Sequence, residues 1–248
     1  MFRKSFHALR ISDESAGALD VLRSADGPLV VAMNHQSWWD PLTGLLLADR
    51  VCPARGAIAP MDREMLERFG ILRRVGVFGI DPEDPGSLDA MRSYFSGFVR
   101  TDPRGALWLT PQGEFADPRA PVRLRPGAAA VAADHGACRV VSVAMEYGFW
   151  LDKRPELFLH ASEVRPPERR TVAGWHRALT RAMRDDNRRL AELVIARSPD
   201  AFSPLLASSG TGTSPVYNLW LRLRGRQNDL ASERTTRPNP PSTTDRRP

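Results

Sequence analysis

Val30-Val31-Ala32-Met33-Asn34-His35-Gln36-Ser37-Trp38-Trp39-Asp40-Pro41 decides how the chain is read. An apolar run of strand length ends at a histidine, and a helical pattern (Leu42, Leu45, Leu46, Leu47) opens just beyond an aspartate. A rigid sheet edge can aim an imidazole into a cleft while a helix N-terminus sits beside it. In a continuous helix, positions five apart lie about 140° apart around the axis, so His35 and Asp40 meet only if the backbone turns between them. Ser37-Trp38-Trp39-Asp40 offers a reason to turn: it reads as a capping box, with Ser37 as N-cap and Asp40 at the third helical position. Pro41 then falls where a missing N–H costs least. With Asp40 bonded to one ring nitrogen of His35, the tautomer is fixed and the other nitrogen is free to act as a base. The same residues also fit a plainer role, Asp40 as a helix cap and His35 as a satisfied loop histidine.

Outward from this stretch, 248 residues with 42% hydrophobic content suit one α/β domain with appendages and a substantial core. No apolar run reaches the length of about 18 residues that a membrane-spanning helix needs. The basic start Met1-Phe2-Arg3-Lys4 is not followed by a long apolar run, so no secretory leader is expected and the cytosol is the expected compartment. Cys52 and Cys138 have no metal-ligand spacing and form no disulfide framework, so no metal is expected. The net charge is +6 and the pI about 10.1, with Lys4 and Lys153 the only lysines. Arginine's planar fork suits phosphate and anionic surfaces. No nucleic-acid motif accompanies the charge, so no nucleic-acid partner is expected.

Residues 1–27 read as an N-terminal helical segment. Within it, Phe2, Phe6, Leu9 and Ile11 align over residues 2–11 as a short basic amphipathic helix, one that suits a membrane surface or a dock on its own domain. Residues 28–200 read as the main domain. Strands are expected at 30–33, 54–59, 74–80, 106–109, 139–147 and 156–164. Helices are expected from Asp40, Pro60, Ser87 and Ala128, with a long one from Thr171 to about Arg197. Strands separated by helices imply an α/β fold with a mixed, largely parallel sheet flanked by helices. Residues 201–226 read as a linker and an arginine-studded amphipathic helix (216–226), and residues 227–248 as a polar tail without periodicity.

The order of motifs resembles the glycerolipid acyltransferase family, which includes lysophosphatidate and glycerol-3-phosphate acyltransferases. The family's first block, Asn-His, four residues, then Asp, is matched in full by Asn34, His35 and Asp40. Its second block, a glycine, a short apolar stretch and Ile-Asp-Arg, aligns with Gly76-Val77-Phe78-Gly79-Ile80-Asp81-Pro82. The third, Phe-Pro-Glu-Gly-Thr-Arg, aligns with Thr110-Pro111-Gln112-Gly113-Glu114-Phe115, and the fourth, a strand with a central proline, loosely with Val141-Ser142-Val143-Ala144. The resemblance covers roughly residues 28–165. It implies acyl transfer from a thioester of coenzyme A or acyl carrier protein to a lipid hydroxyl, most often on a lysophospholipid. No cofactor is implied beyond that acyl donor. His35 would serve as base and Asp40 would orient it, with Asn34, Ser37, Gly76, Ile80, Asp81, Gln112, Gly113 and Glu114 as substrate-binding candidates. Backbone amides near Gly113 or in the helix after Gly127 are candidate donors to the thioester oxygen.

Three departures bear on the acceptor. Pro82 stands where the family has a phosphate-clamping arginine, Gln112 where it has glutamate, and Phe115 where it has a further arginine. Glu114 offers a carboxylate one position late, and Arg119, Arg123 and Arg125 offer phosphate contacts from the next loop. The lipid acceptor implies a peripheral place on the cytoplasmic face of the membrane. Two other functions use the same residues: a thioesterase in which the dyad activates water, and a catalytically silent lipid-binding protein.

Overall fold

The computed structural model describes residues 2–150 and 152–206. Its elements run α1 (Phe2–Ser5), β1 (Ala8–Ser12), α2 (Ala16–Ser24), β2 (Leu29–Met33), α3 (Asp40–Val51), β3 (Ala57–Asp62), α4 (Arg63–Arg68) and β4 (Val77–Ile80). There follow α5 (Gly86–Thr101), β5 (Ala106–Leu109), α6 (Gly127–Asp134), β6 (Arg139–Gly148), β7 (Glu156–Glu163), α7 (Val172–Ala196) and β8 (Phe202–Leu206). The strands form one eight-stranded sheet in the order β4-β3-β5-β2-β6-β7-β1-β8. From β4 to β6 every pairing is parallel; the pairs β6–β7 and β1–β8 are antiparallel. The fold is therefore α/β, with a mixed, mostly parallel sheet.

The pleat of β2 shows how the core is divided. Leu29, Val31 and Met33 face a layer that holds Leu22 of α2 and Leu47 of α3. Val30 and Ala32 face the opposite layer, with Phe95 of α5, Val131 of α6 and Trp175 of α7. A strand apolar on both faces must be covered on both, and the helices between the parallel strands supply that cover. β2 pairs with β5 on one side and β6 on the other, so its C-terminal end is held in the middle of the sheet.

Several segments differ from their sequence patterns. Residues 8–12 are a strand, although Phe2, Phe6 and Leu9 have helical spacing. β1 lies between β7 and β8, where Leu9 and Ile11 are buried, so its apolar residues dock on the chain's own core. Pro60 does not open a helix; β3 continues through it to Asp62, which caps α4 by accepting from the amide of Met65 at 3.0 Å. Pro60 lies beyond the last residue of β3 paired with β5, so its missing N–H removes no ladder bond on that side. Residues 70–75 form a 3-10 turn closed by Gly76 at φ 86°, which delays β4 to Val77. A Cβ at Gly76 would also meet the carbonyl oxygen of Ala57 at 2.3 Å, so the glycine serves backbone geometry. Residues 202–206, expected in a linker, are an edge strand. The amphipath expected at 216–226 and the tail at 227–248 lie outside the described residues.

Arg55 fastens the N-terminal edge of the sheet. It is buried, and its guanidinium donates to the carbonyls of Leu22 (2.9 Å), Gly27 (3.0 Å), Arg104 (2.6 Å) and Ala25. It thereby ties the end of α2 to the loops entering β2 and β5. Arg55→Ala strands these acceptors. The expected loss is about 3 kcal/mol, which corresponds to a fall in melting temperature on the order of 10 °C by calorimetry.

Candidate active site

The C-terminal ends of the parallel strands converge on one edge. His35 follows β2, Asp62 ends β3, Ile80 ends β4 and Thr110 follows β5, and all four line a cavity of about 750 Å³. Crevices at the carboxyl ends of parallel strands are where open α/β sheets bind ligands. The volume suits a small molecule or part of a lipid, and its walls are mostly apolar, with Pro41, Met61, Met65, Leu88 and Met91 among them.

The turn between His35 and Asp40 closes as its chemistry requires. His35 Nδ1 lies 2.8 Å from Asp40 Oδ2. The same oxygen accepts from the amides of Gln36 (2.6 Å) and Ser37 (2.8 Å), and Oδ1 accepts from the Tyr147 hydroxyl at 2.5 Å. The two amides can only donate, so Oδ2 is an acceptor and Nδ1 of His35 carries the hydrogen. In the neutral ring this leaves Nε2 as the acceptor nitrogen, without a hydrogen-bond partner among the described residues, in a residue that lines the cavity. Asp40 is fully buried, and its carboxylate is tolerated there because each oxygen has a donor. Burial, and then the charge of Asp40, pushes the Tyr147 phenol far above its usual value, so the hydroxyl stays a donor.

The capping box forms only by half. Helix α3 starts at Asp40 itself, which accepts the amide of Ser37 as a box would require. The Ser37 hydroxyl instead accepts from Trp39 N at 3.2 Å, inside the turn, and caps nothing.

Two further side chains hold the histidine in place. Asn34 is buried and pairs with Met145 of β6 like one more residue of a ladder: its Nδ2 donates to the carbonyl at 3.0 Å and its Oδ1 accepts the amide at 2.8 Å. Gln112 Oε1 accepts the backbone amide of His35 at 2.8 Å, and the carbonyl of His35 accepts from Ala116 at 2.8 Å. The third sequence block therefore grips the first by its backbone. Gly113, at φ 72°, makes the turn that allows this; a Cβ there would meet Arg125 Nε at 2.6 Å.

Of the other sequence candidates, Ile80, Asp81, Gly113 and Glu114 line the cavity with His35. Asn34, Ser37, Asp40, Gly76 and Gln112 do not; they build the backbone around it. Arg119 and Arg123 are also outside the lining, and Arg119 is paired with the buried Glu146. Arg125 does line it. It donates to the carbonyl of Pro82 at 2.8 Å and approaches Glu83 at 3.2 Å, so a guanidinium from another loop stands beside the position where the family carries its arginine. Tyr147 escaped sequence reasoning, because its approach to Asp40 depends on the register of β2 against β6 (Met33 opposite Val143).

A second serine–histidine–aspartate group is present. Ser12 Oγ lies 2.6 Å from His160 Nδ1, and Asp186 Oδ1 is 3.7 Å from His160 Nε2. Burial pushes Asp186 up to about 6 and pulls His160 down. None of these residues lines either cavity among the described residues, and the group pins α7 to β7 through Ser162. It is part of the core.

Fold and site define a class: an α/β protein with a histidine–aspartate pair at the wall of a largely apolar cavity. The family model for acyltransferases matches residues 16–146, just over half of the chain, and the protein belongs to that family, as its motifs suggested. The matched span runs from α2 into β6 and includes the His35–Asp40 turn and the Gln112 loop. No curated protein matches the chain.

The grip of Gln112 can be tested by stability alone. Gln112→Glu keeps an acceptor for His35 N–H and is expected to melt close to the parent. Gln112→Ala orphans a half-buried amide and is expected to cost about 1–3 kcal/mol, read from denaturant titration.

Proposed function

We propose that this acyltransferase moves a fatty acyl group from a thioester of coenzyme A or acyl carrier protein to a lipid hydroxyl, with His35 as general base. The observation that carries the proposal is the 2.8 Å bond from His35 Nδ1 to a fully buried, fully bonded Asp40, in a histidine that lines the cavity. His35 Nε2 takes the hydroxyl proton as that oxygen attacks the thioester carbonyl. Asp40 holds the ring and stabilises the imidazolium. Collapse of the tetrahedral intermediate expels the thiolate, which takes up the proton. Developing negative charge on the carbonyl oxygen is met by backbone amides; Gly113 and the N-terminus of α6 both border the cavity. A smaller apolar pocket of about 70 Å³ shares Pro41, Pro60, Met61, Leu109 and Thr110 with the main cavity and extends the space open to an acyl chain. This chemistry calls for no metal or cofactor.

His35→Ala is expected to keep its melting temperature and to lose about 10²- to 10⁴-fold in thiol release from acyl-CoA with acceptor present. Near-parental turnover would remove the mechanism. Free fatty acid formed at full rate without any acceptor would instead identify a thioesterase using the same dyad.

A lysophospholipid-like acceptor is the first reading. In that reading Arg125, which lines the cavity, would turn from Glu83 to the phosphate, whereas Arg119 lies outside the lining and is paired with Glu146. A specific observation favours a second reading, an acceptor of low charge. The lining carries five carboxylates (Asp62, Asp81, Glu83, Asp84 and Glu114) against the single guanidinium of Arg125. A phosphate brought among them would meet more repulsion than attraction. Competition between lysophosphatidate and a monoacylglycerol separates the two. If Arg125 is the clamp, Arg125→Ala loses lysophosphatidate acylation selectively, by about 10-fold or more. If the acceptor is uncharged, the monoacylglycerol wins and the variant is indifferent. The protein acts in this scheme at the cytoplasmic face of a membrane.

A further inference from the structure

We propose that residues 68–75, with Trp38 and Phe115 beside them, seat the protein on an anionic lipid bilayer so that the cavity opens against the headgroups. The inference rests on the reading that the acceptor is a lipid. None of the described helices is long and apolar enough to cross a membrane, so the described residues would meet a lipid acceptor at a surface. The amphipath at the N-terminus does not provide one: Phe6, Leu9 and Ile11 are buried in the core.

A different surface carries the required chemistry. Trp38, Phe69, Ile71, Val75 and Phe115 are exposed by 58%, 42%, 66%, 47% and 47%. Three of them form a row: Trp38 lies 6.4 Å from Phe69 and 5.4 Å from Phe115, ring to ring. Phe115 in turn lies 4.5 Å from the ring of His35, and both Trp38 and Phe115 line the cavity. The exposed apolar strip therefore runs without a break from solvent to the imidazole. Ile71 and Val75 extend it along the 3-10 turn. Exposed apolar patches that continue into a ligand cavity mark places where something apolar docks.

The charge identifies the partner. Arg68, Arg73 and Arg74 are exposed, no acidic residue lies between 68 and 75, and none of the three takes part in an ion pair among the described residues. The guanidinium of Arg68 stands 5.8 Å over the ring of Phe69, alternating cation and aromatic as an interfacial segment does. Arginines alone would also suit an acidic carrier protein. The protruding aromatics that lead into the cavity favour hydrocarbon beneath a layer of anionic headgroups.

The test uses the full chain and vesicles of phosphatidylcholine, alone or mixed equally with phosphatidylglycerol. Ile71→Cys is labelled with an environment-sensitive dye in the native fold, where Cys52 and Cys138 are buried, and the parent chain treated alike gives the background. Ile195→Cys on α7 serves as control, being exposed but far along the sheet from β4. The expected result is a blue shift at position 71 on mixed vesicles, weakened by salt and absent at position 195. In flotation, Arg73→Ser with Arg74→Ser is expected to lose about 10- to 30-fold in partitioning, near 1 kcal/mol for each arginine. Melting temperature and thiol release from hexanoyl-CoA with monomeric lysophosphatidate should stay at parental values, so loss of binding is read apart from loss of chemistry. A dye at position 71 that is already blue-shifted and ignores vesicles would mean that the chain's own remaining segment covers the patch. Normal flotation of the double variant with turnover lost only on carrier-protein thioesters would make the patch a carrier dock. Either outcome overturns the proposal.

Discussion

A single buried carboxylate governs the architecture of the site. Asp40 has no exposed surface, yet it sits within reach of two backbone amides, an imidazole and a phenol. Burying an unpartnered charge would cost several kcal/mol, so the chain between His35 and Asp40 has to wrap around it to supply donors. That wrapping is the turn. It sets the ring orientation, starts α3, and directs Trp38 and Trp39 differently. The strand end beneath must then stay rigid, which Asn34 secures by extending the β2–β6 pairing one residue past the regular ladder.

The departure at Gln112 becomes intelligible from this arrangement. Its observed role is to accept the His35 amide, and a carboxylate or a carboxamide can do that equally well. The neutral amide keeps the bond without setting a further charge beside the His35–Asp40 pair. Pro82 has a comparable explanation. It cannot donate, but its carbonyl receives Arg125, so the adjoining loop brings in the guanidinium that this position lacks.

The sequence was legible where chemistry is local. Asn34, His35 and Asp40 lie within seven residues, and the turn is closed by Asp40 accepting the Gln36 and Ser37 amides, half of the capping box that the sequence suggests. The alternation of apolar runs with helical patterns likewise exposed the α/β class. What stayed hidden depends on register and on tertiary partners. Residues 8–12 carry too few apolar positions to separate a helical period from an extended one, and their strand identity comes from β7 and β8, which lie more than 140 residues away. Tyr147 reaches Asp40 only because β6 lies beside β2 in one register. Arg119 and Arg125 look alike in sequence, and their fates diverge because one meets the buried Glu146 and the other meets Pro82.

The adjacent tryptophans show how one turn divides the inside of the molecule from its outside. Trp39 is half-buried and packs edge-on against Phe6 at 4.9 Å, with Phe2 at 5.5 Å; Phe6 also meets Tyr147 at 5.9 Å. This aromatic group closes the back of the dyad and keeps water from the Tyr147–Asp40 bond, where a low dielectric strengthens it. Trp38 points the other way, 58% exposed, to the mouth of the cavity. The N-terminal amphipath is thus spent on shielding the carboxylate. The exposed aromatic residues Trp38 and Phe115 lie on the other side of the imidazole, at the cavity.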